Sequence, residues 1–270
     1  MKAQEIGVKP KVNVVLEGDN QMLDEVMIVA YGTAKKSAFT GSAATIKSEK
    51  ITSRQTSNVT NALSGQVAGV QTTSSSGQPG KDAEVRIRGI GSISASNKPL
   101  YVVDGVPYDG EISAISTSDI ESMTVLKDAA SNALYGARGA NGVILITTKK
   151  GKAGVQRITY SSGLTVDHAI SLPEFQNSYG AKAGSSWGEK ENVKDYDNAG
   201  NWFSNGVTAI NSVSVMTGNE KLQTYFSYAN TTAKGIVDSN KLRKHNLTLR
   251  ESASLFNDRL KLDANANLMV

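Results

Sequence analysis

The chain contains no cysteine. That excludes a disulfide scaffold, a thiolate metal site and thiol catalysis. Its two histidines, His168 and His245, leave little for a histidine metal site, so neither a metal nor another cofactor is expected. Aromatic residues make up only 6% of the chain. The longest unbroken apolar run is Val26 to Tyr31, far short of the ~20 residues of a spanning helix. Met1 to Pro10 is polar and has no apolar core, so no signal peptide is expected there. Nor does one sign of charge dominate. Lys and Arg number 29 against 25 Asp and Glu, and residues 1–150 and 151–270 each carry +2. Nucleic-acid binders gather their charge on one face or stripe, and with no basic lobe no nucleic-acid partner is expected.

The 270 residues allow one or two domains. Residues 11–17 form a short β-type run, and Leu23 to Gly32 form a second. Residues 33–55 are polar, with one strand predicted at Ala43 to Ile46, and the first 55 residues are too sparse in apolar side chains for a core of their own. Residues 56–150 form a compact unit of short pieces. Val59, Leu63 and Val67 at helical spacing predict a helix over 58–67, capped by Ser57 or Asn58. Strands are predicted at Val70 to Thr73, Val85 to Arg88, Leu100 to Val103, Met123 to Leu126 and Val143 to Thr148, with a helix at Ala129 to Leu134.

After Gly154 the texture changes. Arg157 to Asp167 alternates, with Ile158, Tyr160, Leu164 and Val166 on one face. Residues 170–206 are a polar excursion with a helix expected after Leu172-Pro-Glu. Strands return at 210–217, 222–229, 246–255 and 260–270, and the last alternates throughout. Segments of about ten alternating residues between turns mark outer-membrane β-strands. A soluble antiparallel sheet with one wet face has the same pattern, and alternation alone leaves both open.

The motifs in the middle decide between them. Val85-Arg-Ile-Arg-Gly, then Pro99-Leu-Tyr-Val-Val-Asp-Gly-Val-Pro, then the long run from Leu126 to Gly151 resemble the plug domain of TonB-dependent outer-membrane transporters, in the SusC/RagA variant of Bacteroidota. Leu23 to Thr33 resembles the segment before that plug, and Val213 to Glu220 with Tyr225-Phe-Ser-Tyr resembles early barrel strands. The resemblance implies an α+β plug domain followed by antiparallel transmembrane β-strands of an incomplete β-barrel. It divides the chain into the end of a small β-domain (1–22), a Ton box and linker (23–55), the plug (56–154) and the first barrel strands (155–270). Plugs of this kind sit in barrels of about 22 strands, whereas the 116 residues after Gly154 hold five, so the expectation is a partial chain. Implied partners are TonB with its inner-membrane energising complex, a SusD-like surface lipoprotein, a glycan or peptide cargo and outer-membrane lipid. The rival readings are a secreted carbohydrate-binding or adhesion β-domain and an enzyme of the glycosidase type.

Candidate sites follow. Asp24, Glu25, Val26, Met27, Ile28, Val29, Ala30 and Tyr31 are the candidate Ton box. An extended, β-prone stretch suffices there, because strand addition binds through main-chain hydrogen bonds; the bland reading is an ordinary edge strand. Arg86, Arg88 and Arg138 are candidates to face acidic groups on the inner barrel wall, or else are simply solvated. Gly136, Gly139 and Gly142 read as a helix end and tight turn: a phosphate loop follows a strand and opens a helix, and this run does the reverse. Asp104-Gly105 and Asp109-Gly110 are turn formers before they are paired catalytic acids. Tyr179, Trp187, Tyr196 and Trp202 suit sugar stacking or plain loop and interface packing. No catalytic residue is expected, since gating breaks no bond.

Overall fold

The computed structural model describes residues 26–29, 32–35, 43–54, 56–74, 76–128, 133–172, 174–185, 187–191 and 197–270, in two units, 1–40 and 41–270. In the first unit, β1 (Val26–Val29) pairs antiparallel with β2 (Gly32–Lys35). The strand expected over 11–17 lies outside the described residues.

The second unit opens with an α+β domain built on a five-stranded sheet. Its order is β3 (Ala43–Lys47), β8 (Ile120–Leu126), β9 (Val143–Thr148), β6 (Leu100–Val103), β7 (Val106–Tyr108). β9 is parallel to β6 and antiparallel to β8. Its Val-Ile-Leu-Ile run is buried throughout, as a central strand covered on both faces requires. A separate hairpin, β4 (Val70–Thr73) with β5 (Glu84–Ile87), covers part of the core with Val70, Val85 and Ile87. Helix α1 (Ser48–Ser53) contributes Ile51, which is fully buried. The domain therefore starts before residue 56, which corrects the expected boundary: β3 and α1 cannot hold a core alone, and they are built into this one through β8.

Helix α2 is shorter than its spacing suggests. It spans Val59–Ala62, and glycines at positive φ, Gly65 (69°) and Gly69 (78°), turn the chain soon after. Asn58 is its cap, its Oδ1 accepting from the Thr60 backbone N–H at 2.9 Å. Of the helix expected at 129–134, residues 129–132 lie outside the described set, and Ala133–Gly139 is a 3-10 segment kinked at Gly136.

The second layer is an antiparallel meander of five long strands: β10 (Gln156–Asp167), β11 (Gly206–Gly218), β12 (Leu222–Lys234), β13 (Lys241–Leu255) and β14 (Leu260–Met269). Register lines up Tyr160, Val213, Tyr228, Leu247 and Leu268 in one row, and Ile158, Val215, Phe226, Leu249 and Ala266 in the next. These rows face away from the domain, with Ile158 75% and Tyr160 69% exposed. The opposite face is largely polar, with Ser212, Ser227, Ala229 and Thr231 buried against the domain. Residues 219–221 and 256–259 are short turns at one end; 168–205 and 235–240 join strands at the other. Among the described residues no helix follows directly on Leu172, and the excursion carries α3 (Asn198–Trp202), capped by Asp197.

Gly142 enters β9 at φ 91°, and a Cβ there would lie 2.6 Å from Ile87 Cδ1. Gly154, at φ 72°, has open space around it. Forcing a side chain into positive φ costs roughly 1–3 kcal/mol. Gly142→Ala is expected to lower the thermal midpoint, read by circular dichroism, more than Gly154→Ala does, because only Gly142 adds a clash to the strain.

Candidate functional site

The richest polar cluster lies between the α+β domain and the meander, and one strand supplies most of it. Side chains alternate along β13, so Lys244, Asn246, Thr248 and Arg250 all point at the domain, and each bonds to it. Lys244 Nζ donates to the Ser113 carbonyl at 2.9 Å and to that of Ser57 at 3.2 Å. Asn246 Nδ2 donates to the Ala114 carbonyl at 2.7 Å. Thr248 Oγ1 donates to Asp119 Oδ2 at 2.8 Å. Arg250 Nη1 reaches Asp104 Oδ1 at 3.0 Å and Thr148 Oγ1 at 2.6 Å.

Two carboxylates of the domain anchor this ladder. Asp119 is 1% exposed and accepts a second hydroxyl, from Tyr225 of β12, at 3.0 Å. A buried charge is tolerated when hydrogen bonds satisfy it. Asp104 sits in a turn at φ 49° and accepts from the Thr148 backbone N–H at 2.9 Å and its hydroxyl at 2.6 Å. Arg250 closes the network with a bidentate bond to Asp263 of β14, both contacts at 2.9 Å. Lys149 lies alongside, its Nζ donating to the Ser118 carbonyl at 2.7 Å. Burial pushes the Lys149 ammonium below the usual lysine range, with Asp119 and Glu121 opposing the shift. Gly151 seats the link between the layers: a Cβ there would lie 2.7 Å from the Gln223 carbonyl carbon and 2.8 Å from the Thr217 carbonyl oxygen. The arrangement supplies adhesion and electrostatic registration, and no group of three or more metal-ligating side chains occurs among the described residues.

The arginines expected to face the wall do otherwise. Arg86 pairs with Glu84 at 2.8 Å, Arg88 with Asp128 and Arg138 with Asp109, all within the α+β domain. The polarity is inverted: the arginine of the interface stands on the wall, at Arg250, and the carboxylates on the domain. Asp104-Gly105 is the turn it was expected to be, with Gly105 at φ 88°, and Asp104 also carries the ion pair. Of the Ton box candidates, Val26 to Val29 form β1, while Asp24, Glu25, Ala30 and Tyr31 lie outside the described residues. Tyr179 and Trp187 pack on each other with ring centroids 5.4 Å apart; Tyr196 is outside the described set. The ladder on β13 escaped sequence reading, although Lys244-His-Asn-Leu-Thr-Leu-Arg250 carries its signal: polar groups at every second position of a strand whose other face is apolar.

An α+β domain docked on the polar face of a meander whose other face is apolar has the architecture of a plugged outer-membrane barrel. Known proteins agree. The TonB-dependent Receptor Plug Domain family matches residues 35–143. TonB-dependent receptor SusC of Bacteroides thetaiotaomicron is 36% identical over 98% of this chain and 28% of its own length. TonB-dependent receptor P26 of Formosa agariphila is 46% identical over 54% of this chain and 15% of its own. Among solved structures, the RagAB peptide importer in its open-open state superposes with a TM-score of 0.77 at 29% identity, over 91% of this chain and 32% of that one. The ferric enterobactin receptor PfeA of Pseudomonas aeruginosa, 17% identical with a TM-score of 0.58, shares the fold. The chain belongs to the TonB-dependent receptors, in their SusC/RagA type. It spans about three-tenths of the length of SusC and of the RagAB chain.

Arg250→Ala strands Asp104 in the interface, and breaking a buried pair costs about 3–5 kcal/mol. Limited proteolysis of the receptor in detergent is expected to cut the plug faster in Arg250→Ala than in wild type. Arg86→Ala, which removes a surface pair worth about 0–1 kcal/mol, is expected to leave the cleavage rate unchanged.

Proposed function

We propose that this chain forms the plug and first wall strands of an importer that carries glycans or peptides across the outer membrane. The observation that carries the reading is the β13 ladder, which ties the plug to the polar face of a sheet whose outward rows suit lipid. A peptide cargo is supported by the likeness to RagAB, a peptide importer; a glycan cargo and a SusD-like lipoprotein lid rest on the SusC/RagA type. In this reading the short turns face the periplasm and residues 168–205 face outward, as short and long connections do in outer-membrane barrels. A secreted carbohydrate-binding or adhesion domain is disfavoured by the two apolar rows that cross all five strands.

The energised step belongs to the segment Asp24 to Tyr31. TonB, driven by its inner-membrane complex, adds a strand to this stretch and pulls, and the plug shifts from its occluding to its open state. β1 supports the assignment, since its residues already adopt extended backbone. Coupling to cargo requires that bound cargo change the exposure of this stretch, and TonB in turn the affinity for cargo.

Pro at Val26 or at Ile28 removes a backbone donor that strand addition needs. In the complete receptor either substitution is expected to abolish cargo uptake while binding of labelled cargo at the cell surface is retained. Growth at the wild-type rate on the cargo as sole nutrient would refute the assignment.

A further inference from the structure

Beyond the apolar rows, the outward face of β12 and β13 carries three cations. Lys234 stands directly opposite Lys241, and Arg243 stands opposite Thr232, one outward pair nearer the apolar rows. All three are exposed. They share strand parity with Tyr228 and Leu247, so they look toward lipid and away from the plug. Like charges directly across an antiparallel pair repel each other. Among the described residues none of the three forms an ion pair, and Asp238, in the turn that joins the strands, neutralises none of them. The sheet thus holds uncompensated positive charge where its own packing gains nothing from it.

We propose that this patch binds the anionic headgroup of a phosphorylated glycolipid in the outer leaflet, its acyl chains lying against Tyr228, Leu247 and Leu164. The inference rests on the outer-membrane orientation proposed above. Two observations select this occupant. First, charge and apolar surface lie on one face: Arg243 lies four positions beyond Leu247 on the same side of β13, with the polar row Ser162, Asn211, Asn230 and His245 between them. At ~3.3 Å per residue that is about 13 Å along the strand, and about 10 Å along the membrane normal for a strand tilted ~40°. Long cationic stems close part of that gap by snorkelling toward the interface. Second, the charges are stacked in depth. Lys234 and Lys241 sit one pair higher than Arg243, so they match a head with anionic groups at more than one level better than a single phosphodiester. The apolar edge supports the geometry. Val166 and Val207 share a row with Lys234 and Lys241, which places the membrane boundary obliquely to the rows, as strand tilt demands.

The test uses the complete receptor in detergent, with purified lipopolysaccharide added and the bound fraction read by native mass spectrometry. Lys234→Gln, Lys241→Gln and Arg243→Gln combined are expected to weaken binding at least tenfold, and each alone about threefold. The charge-keeping variant Lys234→Arg, Lys241→Arg, Arg243→Lys is expected to stay within threefold of wild type. Removing mutually repelling charges is expected to leave the thermal midpoint unchanged or raised, so lost binding is separable from misfolding; should the triple variant fail to fold, the single variants decide. Equal binding by the neutral variants, equal binding of phosphatidylcholine, or displacement of the glycolipid by inorganic phosphate at matched concentration would overturn the site. Recovery of the receptor outside the outer membrane would sink the orientation itself, whereas outer-membrane insertion with unaltered glycolipid binding in the triple variant overturns only the patch.

Discussion

β13 must satisfy two incompatible surroundings along one backbone, and the rest of the structure depends on how it does so. Its period of two sends Lys244, Asn246, Thr248 and Arg250 to the plug and Leu247 and Leu249 to the lipid side. A slip of one residue would exchange the two sets, burying leucines against a polar plug and placing Arg250 in hydrocarbon. Register is therefore fixed from both sides at once. Pairing with β12 and β14 consumes the strand's backbone groups, which in hydrocarbon have no other partner. The plug then needs no lock-and-key match of apolar surface, because Lys244, Asn246, Thr248 and Arg250 each already bond to a designated group of the plug.

The interface also shows which kind of charge placement such a wall tolerates. Arg250 is held by Asp104 of the plug and Asp263 of the neighbouring strand, so a single guanidinium is shared between the plug and the wall. A planar, forked donor suits that duty better than an ammonium. If the plug withdraws Asp104, the bidentate bond to Asp263 remains and the cation is not abandoned. Arg88 and Arg138 do the opposite service, pairing inside the plug and helping it keep its own shape.

Much of this was legible in the residues, for a reason that can be stated. Alternation is a local signal, so the strands from Gln156 to Met269 are visible as period two, and only their ends differ by a few positions. Val143 to Thr148 is visible because a doubly covered strand opens on an unbroken apolar run, Val143 to Ile146. What local pattern cannot carry is pairing between distant segments. Nothing within residues 43–47 announces that their partner is β8, so the plug boundary was set too late. The partners of the arginines are hidden for the same cause: Arg88 meets Asp128 across forty positions, and charge alone does not say which of several carboxylates lies nearby. Lys244 to Arg250 was readable as a strand with one polar face, but what that face touches is tertiary information.

The order of pairing along the chain has a kinetic side. The wall is a meander, each strand paired with its immediate neighbours in sequence, and from β11 onward such contacts close short loops. The bonds that dock the plug are of another kind: Arg250 to Thr148 spans 102 positions, Thr248 to Asp119 spans 129 and Lys244 to Ser57 spans 187. Closing such loops carries a larger entropic cost, though one that grows only slowly with length. Hairpins of the wall should therefore zip first and present a finished polar face. Because the chain crosses from plug to wall at Gly151, wedged against the first tight turn, the plug is already tethered beside that face when it forms. Docking becomes a short search by a captive domain, and the wall serves as the template on which its own stopper is set.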